Sequence, residues 1–62
     1  MTLDTARTLY AEAMADWTRA RHAWDTAPTL KLRRQAGDAL QYWGNRTASL
    51  GAFIQHEEAV RS

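Results

Sequence analysis

Chemistry in this chain would have to come from two histidines, seven carboxylates and a set of aromatic rings, because there is no cysteine. His22 and Asp25 stand three apart, a spacing that places both on one side of a helix within reach of one metal ion. Two ligands are too few for a stable site, and His56 is the one remaining imidazole. If the chain folds back on itself, His22 comes level with residue 32. That leaves His56 about 24 residues of helix away, about 36 Å at 1.5 Å per residue. Both histidines therefore read as surface residues, and no metal or cofactor is expected. Glu57 and Glu58 are the adjacent acid pair. Neighbours on a helix project to different sides, so they cannot act together as a general acid and base. Nothing in the sequence pairs a nucleophile with a base or builds a glycine-rich phosphate loop. The chain is read as not an enzyme.

The basic residues are unevenly placed. Residues 17–35 hold Arg19, Arg21, Lys31, Arg33 and Arg34 against Asp25, a net +4. The remainder holds Arg7, Arg46 and Arg61 against six acids, a net −3. A cluster of this kind can meet phosphates, so a small nucleic-acid-binding regulator is the second functional reading. Against it, Arg21 with Asp25 and Arg34 with Asp38 are spaced for local ion pairs, and no nucleic-acid motif is present. Solvated surface is the simpler reading of these five residues.

The elements that carry these residues are helices. From Leu3 the apolar residues step by three and four: Leu3, Ala6, Tyr10, Ala13, Trp17, Ala20, Trp24. This heptad seam puts large residues at one position and alanine at the other. Thr2 or Asp4 offers a start signal. Pro28 sets the stop, with Thr26 as a cap for the helix that follows. The expectation is an all-α antiparallel hairpin in one domain, 1–62: a helix over about 3–25, a turn at 25–28 and a helix over about 28–60.

The second helix has its own stripe: Leu32, Ala36, Leu40, Trp43, Thr47, Leu50, Ile54. All three glycines, Gly37, Gly44 and Gly51, lie seven apart on one edge of it. Glycine costs a helix about 1 kcal/mol against alanine, so three on one face suggest sockets for large residues. Folding the chain about residue 27 sets Trp17 against Gly37, Tyr10 against Gly44 and Leu3 against Gly51. The expected helix–helix seam is thus Leu3, Tyr10, Trp17, Trp24, Gly37, Trp43, Gly44, Leu50 and Gly51. The alternative is a break near Gly44-Asn45, giving a compact three-helix bundle.

At 62 residues a single core is marginal, and without cysteine the remaining staple is a partner. The expected association surface is Leu9, Met14, Leu32, Leu40, Phe53, Ile54 and Val60, with residues from about 54 onward lying beyond the end of helix 1. The expected closure is a homodimer forming a four-helix bundle, with a separate protein target as the other occupant of that face. The functional reading is a small non-enzymatic protein acting by protein–protein association, in the manner of an accessory, adaptor or inhibitor protein of a phage or mobile element. The chain starts at Met1, lacks a signal-peptide pattern and lacks an apolar run of membrane-spanning length, so a cytoplasmic location is expected. A role on a membrane surface is disfavoured, because the cations gather at one end instead of lining a long polar face.

Overall fold

In the computed structural model, which describes residues 1–61, the chain is an antiparallel helical hairpin. Helix α1 spans Leu3–Thr26 and helix α2 spans Leu30–Arg61. The molecule measures 48 × 15 × 14 Å, so its length is that of α2 and its breadth is two helices.

Local chemistry sets each helix end. Thr2 is the N-cap of α1; its Oγ1 accepts from the Thr5 amide at 3.1 Å, and Asp4 places a carboxylate in the first turn. Ala27, held extended before Pro28, ends α1. The cap of α2 is Thr29, not Thr26: its hydroxyl accepts from the Leu32 amide at 3.2 Å. Thr26 lies inside α1 instead, donating to the His22 carbonyl at 2.8 Å. Two threonines flank Pro28, and only the one after it can satisfy the first amides of α2. The turn therefore sits at 27–29, and α2 begins two residues later than the proline suggests.

Helix α2 runs unbroken through Gly44 and Asn45, so the three-helix alternative is not formed. No glycine has a positive φ. The Thr47 hydroxyl donates to the Gly44 carbonyl at 2.9 Å, within the helix. A glycine and a cap-forming asparagine are permissive of a break without forcing one, and the apolar stripe continues on both sides of them.

The helices meet along alanines. The buried set is Leu3, Ala6, Ala13, Ala20, Ala36 and Leu50. Each glycine does sit under an aromatic ring, one heptad away from the expected partner. Gly37 lies under Trp24, Gly44 under Trp17 and Gly51 under Tyr10. Two displacements of the same sign produce this shift. The turn is later than residue 27, and each ring leans toward the N-terminus of α1, which is toward higher numbers on α2. The sockets are also roomier than a close approach would demand. A Cβ on Gly37 or Gly44 would stand 3.7 Å from the nearest indole atom, and one on Gly51 would stand 3.5 Å from the Tyr10 ring, all ordinary van der Waals separations.

The later register closes the open end of the hairpin. Arg7 Nη2 donates to Glu58 Oε1 at 3.1 Å, and Ile54 shares a groove with Tyr10. Ile54 and Glu58 thus lie against α1, contrary to the expected overhang.

Candidate association surface

The hairpin buries very little. Among the described residues no large side chain is fully enclosed, and Tyr10, Trp17, Trp24 and Trp43 are each only half-buried. Two helices enclose only the strip between them, and here that strip is mostly alanine and glycine. The rings lie over the strip and keep one side toward solvent.

The expected association residues fall on two different faces. At about 100° per residue, the glycine edge of α2 and the aromatic edge of α1 lie on the same side of the hairpin, since each ring covers a glycine. On this side Met14 flanks the rings and Ile54 lies with Tyr10 and Gly51 beside the Arg7–Glu58 pair. Leu40 is half-buried at the same edge. The opposite face carries the rest. Here α2 presents Leu32, Ala39, Tyr42, Phe53 and Val60, at intervals of seven, three, eleven and seven residues along one side of the helix, and α1 adds Leu9 and Ala23. Tyr42 is 59% exposed and Val60 is 69% exposed. Two open grooves mark this face. One, about 440 Å³, is lined by Met1, Tyr42, Arg46, Leu50 and Phe53; the other, about 430 Å³, runs from Ala23 and Ala27 to Leu32 and Ala36. Tyr42 and Ala39 lie outside the stripe legible in the sequence, because that stripe follows the residues facing α1. The signal that finds them is the set of apolar residues seven, three, eleven and seven apart on the adjoining side of α2.

The basic residues gather at the turn end as expected, and all five are exposed. Arg21 pairs with Asp25 through Nε at 3.3 Å, and Arg19 pairs with Asp16. Arg34 and Asp38 line one shallow groove without forming an ion pair among the described residues. Arg33 instead stacks on Trp24, its guanidinium carbon 4.0 Å from the ring centroid, with Arg21 at 5.8 Å. Trp24 is thereby held between Arg33 and the Gly37 socket.

The residues first considered for metal or proton chemistry are dispersed. His22 and His56 are both exposed, Asp25 is engaged by Arg21, and Glu58 is engaged by Arg7. Among the described residues, no three histidine or carboxylate side chains converge. No helix among them is long and apolar enough to cross a membrane. Comparison with protein-family models, with curated proteins and with solved structures gave no match.

Proposed function

We propose that this chain is a non-enzymatic helical protein that works by protein association, first with a second copy of itself as a four-helix bundle. One observation carries the reading: the hairpin leaves every large aromatic residue part-exposed and keeps Leu32, Tyr42 and Val60 on its surface. A chain of 62 residues has little burial to spare, so a second layer of helices is the simplest source of the missing core. Sedimentation equilibrium at micromolar concentration tests it. The expected result is a species of twice the 7.0 kDa chain mass. A fully folded, stable monomer under those conditions overturns the reading.

A second reading rests on the turn end, where Lys31, Arg33 and Arg34 form no ion pair among the described residues. It makes the protein a nucleic-acid-binding regulator. Binding would then weaken steeply with salt, and Arg33→Glu with Arg34→Glu would abolish it. Absence of binding to duplex DNA, single strands and structured RNA at low salt ends this reading.

A further inference from the structure

The two faces of the hairpin are not equivalent, and the difference assigns the self-association to one of them. We propose that the face carrying Leu32, Ala39, Tyr42, Phe53 and Val60 is the homodimer interface, with the two hairpins antiparallel and their turns at opposite ends. This rests on the self-association reading above and specifies its face and orientation.

The hairpin exposes 4639 Å². A compact monomer of 7.0 kDa exposes about 4,000 Å², so the excess is about 600 Å² per chain. A stable two-protein interface removes about 800 Å² from each partner, so one standard interface accounts for the excess. The shape agrees: a body of 48 × 15 × 14 Å laid beside its copy becomes a bundle as broad as a four-helix bundle.

The glycine side is partly covered by its own chain. Trp24, Trp17 and Tyr10 lie over the three glycines, Arg33 stacks on Trp24, and the Arg7–Glu58 pair closes the end. On the other face Tyr42 meets only the ring of its neighbour Trp43, at 4.8 Å between centroids, and stays 59% exposed, while the groove between Tyr42 and Phe53, which Met1 also lines, is open. That groove lies near the middle of α2. A two-fold axis beside it brings Tyr42 of each copy to the groove of the other, as a self-complementary contact requires.

Charge sets the orientation and makes a second copy the occupant. By position in the hairpin, the turn end holds Arg19, Arg21, Lys31, Arg33 and Arg34 against Asp16, Asp25 and Asp38, a net +2, and the open end holds Asp4, Glu57 and Glu58 against Arg7 and Arg61, a net −1. Antiparallel hairpins set the basic turn of each copy beside the acidic open end of the other, where Asp4, Glu57 and Glu58 lie. Parallel hairpins would set the two basic turns together.

Two measurements on the full chain test this. Tyr42→Glu changes a residue the hairpin leaves exposed, and Met14→Glu places the same charge on the opposite face. The expected result is that Tyr42→Glu lowers the sedimenting mass to that of one chain, while Met14→Glu leaves the dimer intact. The reverse pattern, or two intact dimers, overturns the assigned face and leaves self-association standing. A monomeric parent protein overturns both. If Tyr42→Glu also unfolds the chain, orientation decides on the otherwise unchanged sequence. The absence of native cysteine lets His22→Cys carry a single spin label on the outer side of α1. Antiparallel hairpins separate the two labels by about 36 Å along the bundle, counting about 12 residues of helix from each label to the axis at 1.5 Å each. Label pairs confined to within about 25 Å, the breadth of two helices at 8–10 Å spacing with their side chains, mean parallel hairpins and overturn the proposal.

Discussion

Gly44 shows what the glycine edge is worth. A Cβ there would meet Trp17 Nε1 at 3.7 Å, a normal contact that pushes nothing aside. Gly44→Ala should therefore stabilise the protein by about 0.5–1 kcal/mol, through the lower backbone entropy of the unfolded chain and the added methyl contact. Gly44→Leu adds three further carbons under the indole and should destabilise by about 1–3 kcal/mol through overpacking. Thermal or urea denaturation of the two variants checks both signs. A loss of stability in Gly44→Ala would mean that the ring packs closer to α2 than 3.7 Å. Spacing alone showed that the glycines share a face and receive large side chains; the ring over Gly51, where Leu3 was expected, came from the structure. Which ring meets which glycine was not legible, because a side chain's lean along its helix adds to the register and carries no mark in the sequence.

Helix ends and helix continuity belong to the next scale. Thr29 satisfies the first turn of α2 through the Leu32 amide. Thr29→Ala should cost about 1 kcal/mol, read from the denaturation midpoint, whereas Thr26→Ala removes only a hydroxyl bonded within α1 and should change stability by less than half as much. The two helices also depend on each other. A chain ending at Tyr42 loses Gly44, Leu50 and Gly51, the surface beneath Trp17 and Tyr10. Circular dichroism should then show most of the helicity gone, in α1 as well as in the shortened α2, because isolated amphipathic helices of this length are marginal in water. Retention of the α1 signal would mean that α1 is stable without its partner. The two helices and their turn were readable from heptad spacing and a single proline. The continuity of α2 through Gly44 was not, since the residues there suit a helix interior and a cap equally, and only the packing on both sides decides.

The whole molecule is where stability and association become one quantity. If the missing core is supplied by a second copy, folding is bimolecular and the melting temperature rises with protein concentration. A hundredfold increase in concentration should raise Tm by several degrees, since it adds about 2.7 kcal/mol of driving force per dimer while a small domain shifts by about 4–8 °C per kcal/mol of stability per chain. Differential scanning at two concentrations provides the check. A Tm that does not move indicates a hairpin that is stable as one chain, with its open face available to a different protein.

By itself the sequence determined the all-helical class, the antiparallel pairing and the small-against-large character of the seam, because those follow from spacing, from one proline and from residue volume. It also located the basic residues at the turn end, since a hairpin brings residues 17–35 together whatever the detailed register. The tertiary structure decided the rest. It moved each ring by one heptad, it placed the open end under an Arg7–Glu58 pair, and it divided the apolar surface residues between two faces. Those outcomes depend on where the turn falls and how far a tryptophan reaches along its own helix. Such distances exist only once both helices are packed.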